Sequence, residues 1–301
     1  MPGQSTSYYS PFEELVAYEA LWSVRGADLR DIADRFRGGT TRPTAVWQAS
    51  REPAGLFSES DDGTEHVRKF LSAKRGFGVT INGDLHYPER LKDSRSPVPL
   101  LYYRGYVGLL NRPSVAVVGA RKCTVAGADR AAAIAGALAD ATIPVVSGLA
   151  AGIDAAALEG ALSAGGNVIG VIGTPIDESY PRENRALQAR VASDHLLLSH
   201  VPFYRYTHEP FLAHKRFFPQ RNDVMAAISH ATVIVEASDT SGTLTQARAC
   251  MQQRRPLFIL DACFRDPSIS WPARFEALGA FRVQDENDLL VALRRVIAEL
   301  P

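Results

Sequence analysis

The sequence is short of several things, and each shortage removes a class of function. Neither charge is in excess: 33 Lys and Arg stand against 33 Asp and Glu in 301 residues. A globally basic chain would announce a polyanionic partner, so any anion site here has to be local. Cysteine is scarce. Cys123, Cys250 and Cys263 are odd in number and widely spaced, which suits neither a disulfide framework nor a paired-cysteine zinc site and fits a reducing cytoplasm. No apolar run reaches membrane-spanning length, and the opening MPGQSTSYYSPFEE lacks the basic start and apolar core of a signal peptide. Catalytic signatures are missing too: there is no HExxH spacing among the seven histidines, no GxSxG elbow and no GxxxxGK[ST] loop. The expectation is a cytoplasmic protein with no membrane contact, no metal, no cofactor and no catalytic residues.

What is present is a chain long enough for one large domain and a smaller companion. Between Phe12 and Phe36, Leu15, Val16, Tyr18, Leu21, Trp22, Leu29, Ile32 and Ala33 fall near helical spacing, broken at Arg25-Gly26-Ala27. More helical text follows at 45–48 and 65–74, separated by a polar stretch from Ser58 to Gly63. A small helical domain over residues 1–76 is expected. From Gly78 onward the vocabulary turns to strands, with 79–81 and 100–104 first and then 114–118, 144–147, 167–172, 195–199, 232–236 and 256–260 alternating with helices. Runs such as Val115-Ala-Val-Val118 and Val233-Ile-Val-Glu236 are apolar without alternation, as strands covered on both faces require. Residues 77–301 therefore read as an α/β, Rossmann-like, doubly wound and mainly parallel sheet, and its ligands belong beyond the carboxyl ends of the strands. The final helix, over residues 287–300, carries Leu289, Leu293, Val296, Ile297 and Leu300 on one stripe.

Four strand ends offer glycine or hydroxyl beside a helix start. They are Gly119-Ala-Arg121-Lys122-Cys-Thr124, Ser147-Gly148, Gly173-Thr174 and Thr240-Ser241-Gly242-Thr243. Unpaired N–H groups and the positive end of a helix dipole make such turns anion sites. The first turn resembles a dinucleotide loop only in layout. Arg121 occupies the middle glycine position, and the next strand ends in Ser147-Gly148-Leu149-Ala150, with no acid for a ribose. Gly119, Arg121, Lys122, Thr124, Gly148, Gly173, Arg221, Asn222, Ser241, Gly242 and Thr243 are the candidate phosphate contacts. Tyr180, Arg182, Phe217 and Phe218 sit in stretches where basic and aromatic residues interleave, the pattern that neutralises a single strand while stacking its bases. The plainer alternatives are helix capping by Thr240 or Ser241, a turn role for Asp154, and burial of Phe217 and Phe218 in the core.

Taken in order, these phrases resemble the DprA/Smf DNA-processing family. They run Tyr87-Pro88 with Leu91, Pro99-Leu-Leu-Tyr102 with Gly105, Val117-Val-Gly119-Ala-Arg121, Ser147-Gly-Leu-Ala150 with Gly152-Ile-Asp154, Tyr180-Pro181 with Asn184, Phe218-Pro219 with Arg221-Asn222, Ser229, and Glu236 with Ser241-Gly242. The resemblance implies a Rossmann-like fold behind a helix-hairpin-helix or SAM-like helical domain. It also implies a homodimer that binds single-stranded DNA and helps load the RecA recombinase in DNA uptake and recombination. Leu158, His200 and Asp223 depart from the family's usual His, Glu and Arg. Two other functions stay open on the residues. One is a sensor or hydrolase of a nucleotide-derived small molecule, with Glu236 as its best acid–base candidate. The other is a protein-interaction module without a ligand. Cys123, beside Lys122, is either a thiol of lowered pKa or an ordinary loop residue.

Overall fold

The structure, a computed structural model, describes residues 9–24, 27–37, 42–51, 63–92, 94 and 97–298. The expected turn at Arg25-Gly26, the polar stretch from Ser58 to Asp62 and Leu300 of the closing stripe lie outside the described residues. Four helices come first: α1 (Pro11–Ser23), α2 (Leu29–Arg35), α3 (Pro43–Ala49) and α4 (Glu65–Leu71). Ser10 starts α1 by accepting from the Glu13 N–H, with proline at the tolerated first helical position. The antiparallel strands β1 (Gly78–Ile81) and β2 (Leu100–Gly105) follow. Next come β3 (Val115–Val118), α5 (Val125–Asp140), β4 (Val145–Ser147), α6 (Ile153–Ser163), β5 (Val168–Ile172), α7 (Arg185–Asp194), β6 (Leu196–Ser199), α8 (Phe203–His208) and α9 (Phe217–Ile228). The chain continues through β7 (Ala231–Ile234), α10 (Thr243–Gln252), β8 (Leu257–Leu260), α11 (Asp261–Phe264), α12 (Trp271–Glu276), β9 (Phe281–Val283) and α13 (Glu286–Ala298).

The nine strands form one sheet in the order β1-β2-β6-β5-β4-β3-β7-β8-β9, with all pairs from β6 to β9 parallel. Each of the six expected parallel strands is present, and most begin one residue later than the apolar pattern suggests. The edge strand β9 is absent from the expected set, because three residues with Phe281 and Arg282 exposed give no strand-length pattern. Every residue of β3, β5, β6, β7 and β8 is buried, as helices on both faces require. Chain order reverses between β3 and β7: β4, β5 and β6 lie to one side of β3, β7 and β8 to the other. This switch point opens a crevice at the carboxyl ends of the two strands.

The buried side chains of the N-terminal helices and of the sheet form a single continuous cluster. Glu19 of α1 ties the two together. It is fully buried, and its carboxylate accepts from the Tyr102 hydroxyl at 2.7 Å and from the N–H groups of Phe203 and Tyr204 at 2.8 and 2.9 Å. Burial pushes this carboxyl up from 4.5 to about 7, against the opposing pull of those hydrogen bonds and of Lys74. Between those two values Glu19 holds its proton more in the folded chain than in the unfolded one, so its contribution to stability is lost as pH rises through about 7. His200 and His230, both pushed down to about 4 by burial, act in the opposite sense at lower pH. Urea unfolding between about pH 6.5 and 8 separates the two effects. Wild type is expected to lose stability relative to Glu19→Gln as pH rises, and parallel curves would refute this account of Glu19.

Candidate nucleic-acid interface

The ends of β3 and β7 meet at the crevice, where Val118 pairs with Ile234 and the turns beyond are stitched together by Ala120 N–H to Glu236 C=O at 2.7 Å. Two glycines mark how closely the segments around these turns approach. A Cβ on Gly148 would overlap the Arg221 guanidinium. Gly152, at φ +78°, lies against the carbonyls of Ala120 and Arg121. Leu149 is buried at φ +56°, a conformation that costs a non-glycine residue about 1 kcal/mol or more. Its carbonyl is held by the Asn184 side-chain amide at 2.9 Å.

Asp154 and Arg221 hold these turns from below. The buried Asp154 carboxylate accepts from Gly148 N–H at 3.0 Å and Gly119 N–H at 3.4 Å, and Arg221 Nη1 donates to the carbonyls of Gly148 and Val171 at 2.5 and 2.8 Å. The Gly148 turn is thus gripped at both its N–H and its C=O. Burial raises the Asp154 carboxyl, while Arg221 and the backbone donors pull it back. Thr243 completes the frame: its hydroxyl donates to Gly119 C=O at 2.8 Å, and its own N–H donates to Ser241 Oγ at 3.2 Å.

Two adjoining compartments lie above this frame. The larger, about 500 Å³, is lined by Gly119, Arg121, Lys122, Arg221, Asn222, Ser241, Gly242 and Thr243, with the first turn of α10 opening on it. The smaller, about 110 Å³, is lined by Gly148, Gly173, Tyr180, Glu183 and Phe218, together with Arg121 and Arg221. The side chains of Arg121 and Phe218 belong to both linings and form a ridge between them. Arg121 Cζ sits 5.9 Å from the Phe218 ring centroid, and Phe218 is 5.4 Å from the ring of Tyr180. Arg121 and Lys122 are exposed and make no ion pair among the described residues. The larger compartment therefore offers uncompensated cations, and the smaller one offers aromatic surface.

Several expected contacts are displaced. The start of α5 is not open to an external anion, because Glu236 occupies it. Thr124 donates to that carboxylate through its N–H at 3.0 Å and its hydroxyl at 2.7 Å, while Thr124 Oγ1 caps Gly127 N–H at 2.9 Å. Thr124 lines neither compartment, and Glu236 is tied to the start of α5, outside both compartments. Phe217 is fully buried beside His200 and Tyr206 and cannot stack on a base. Arg182 is exposed and lines neither compartment, whereas its neighbour Glu183 lines the smaller one. Arg221 is only 6% exposed and acts chiefly from beneath. Cys123 is not activated: burial, then Glu236, raises its thiol. Of the three departures, Leu158 is core, His200 is buried at the end of β6, and Asp223 lines neither compartment. Asp154 is the functional residue undervalued in the sequence. An acid directly after Gly152-Ile153, in the first turn of a helix, was its available signal.

Comparison with known proteins places this geometry. The family model for DNA recombination-mediator protein A matches residues 78–294. DNA processing protein DprA of Streptococcus pneumoniae is 37% identical over 180 residues, a stretch covering 60% of this chain and 61% of that protein. The Bacillus subtilis DprA is 29% identical over 243 residues, 80% of each chain. The crystal structure of the pneumococcal protein superposes with a TM-score of 0.73 at 28% identity, covering 94% of this chain and 98% of that one. A structure of the Helicobacter pylori protein, solved to describe its unique single-stranded DNA binding mode, gives a TM-score of 0.62 at 26% identity over 73% of this chain and 96% of that one. With a match that runs from β1 into α13, this chain belongs to the DNA recombination-mediator protein A family.

Proposed function

We propose that the chain binds single-stranded DNA across the Arg121–Phe218 ridge, with backbone phosphates in the larger compartment and a base against Tyr180 and Phe218 in the smaller. The observation that carries this reading is the division itself: free cations on one side of the ridge, aromatic faces on the other. A mononucleotide can fill only part of it, whereas a strand engages both sides. The direct phosphate contacts proposed are Arg121, Lys122, Asn222, Ser241 and Gly242, with Gly119, Gly148, Gly173, Arg221 and Thr243 shaping the walls. No step of this reading needs a reacting group, so the role is binding rather than catalysis.

The family's description as recombination mediator supports a further reading: a cytoplasmic homodimer that protects exposed strands and passes them to RecA. Exposed apolar side chains at the β9 edge, Leu278 at 69% and Phe281 at 45%, provide surface for such a contact. The proposed division into residues 1–76 and 77–301 rests on the change from helices to strands between α4 and β1.

Competition against a labelled oligothymidine tests the reading. Unlabelled single strands are expected to displace it, and duplex of the same nucleotide content should do so far more weakly. Displacement by a mononucleotide as effective as that by the strand would point instead to a small-molecule site.

A further inference from the structure

The 3-10 turn Phe211–Arg216 leads into α9 and leaves Phe211 76% and Leu212 74% exposed. Two adjacent large apolar side chains held this far into solvent gain nothing from the core. Their aromatic surroundings connect them to the interface. The Phe211 ring meets the edge of His214 at 5.8 Å, and His214 stacks on Tyr206 at 3.7 Å with the planes 17° apart. Tyr206 in turn lies 5.8 Å from the ring of Phe217, the chain neighbour of Phe218. Tyr180 lies 5.4 Å from Phe218. A packed series of rings therefore links the start of α9, which carries Phe218 of the ridge, to Phe211.

Charge along that path does not oppose a polyanion as strongly as its acids suggest. Glu209 is held between Arg205 and Arg216, Asp177 is paired with Lys74 at 2.7 Å, and Glu178 accepts from the Tyr206 hydroxyl. Lys215, on the same turn as Phe211, is exposed and has no ion-pair partner among the described residues. Exposed aromatic surface with an unpaired cation on the same turn is what a single strand follows without regard to its sequence.

We infer that Phe211 is an outer base-stacking platform for single-stranded DNA, beyond the Tyr180–Phe218 compartment on the same strand, with Leu212 flanking the base and Lys215 serving the intervening phosphate. This rests on the single-strand reading above and adds a contact that only a longer strand can reach. Oligothymidines of about four and about sixteen nucleotides, the range of single-strand site sizes, separate the inner and outer contacts. Phe211→Ala is expected to weaken the long oligomer about tenfold while leaving the short one unchanged, the scale of one lost stacking contact. Arg121→Ala should weaken both. Phe211→Trp adds an independent readout, with indole fluorescence quenched by the long oligomer and not by the short one. If Arg121→Ala weakens both lengths while Phe211→Ala changes neither and the indole signal of Phe211→Trp stays flat, the outer platform is wrong and the inner site stands. If wild type binds neither length, both readings fall.

Discussion

Arg221→Leu is expected to cost about 3–5 kcal/mol of folding stability and to abolish strand binding in the same variant, because it strands a buried charge and frees a turn at once. The guanidinium, ahead of the backbone donors, draws Asp154 toward its ionised form, and it also holds Gly148 C=O at 2.5 Å while Asp154 holds the Gly148 N–H. Without it the Asp154 carboxyl takes up a proton or stays as an unpaired anion under the interface. Either outcome loosens the Gly119 and Gly148 turns. The double variant Arg221→Leu/Asp154→Asn should therefore be less damaged than the sum of the two singles, since it removes both charges together. Urea denaturation of the four proteins measures this coupling. Strictly additive losses would show that the two groups do not act as a unit.

Phe218→Ala should lower affinity for an oligothymidine by about tenfold or more, at about 1–3 kcal/mol for one stacked base, without altering the dependence on salt. The ring is uncharged and releases no counterion, so only the height of the binding curve moves. Phe218 also packs over Gly173, where a Cβ would meet the ring 2.9 Å away, so some loss from altered packing is expected in the alanine variant. Phe218→Leu separates the two roles by restoring apolar bulk without a π-face. It should recover stability and not affinity. Affinity regained by leucine would mean that Phe218 only shapes the wall.

These residues show what the sequence could and could not reveal. The sheet was legible because β3, β5, β6, β7 and β8 are apolar at nearly every position, a property of the strands alone. That the turns share one edge followed from parallel strands. What occupies each turn did not follow, because it depends on contacts between distant segments: Glu236 reaches Thr124 from 112 residues away and fills a helix start that looked free. The Phe217-Phe218 pair was ambiguous for a simpler reason. On a helix these neighbours diverge, and each shares a face with the residue four positions on. Phe217 goes with Arg221 to the buried side, and Phe218 with Asn222 to the larger compartment. Choosing between them required knowing which face of α9 packs on the sheet. Arg182 belongs with these cases, since on a three-residue 3-10 turn its neighbour Glu183 lines the smaller compartment and Arg182 does not.

Strand binding rests above all on Arg121, an exposed guanidinium placed to meet a phosphate. Oligothymidine affinity should be measured across a series of salt concentrations for wild type and Arg121→Ala. A logarithmic plot is expected to be linear for both, with the variant weaker and its slope shallower by about 0.7, the loss of one phosphate contact on a single strand. Equal slopes, or affinity independent of salt in wild type, would contradict it.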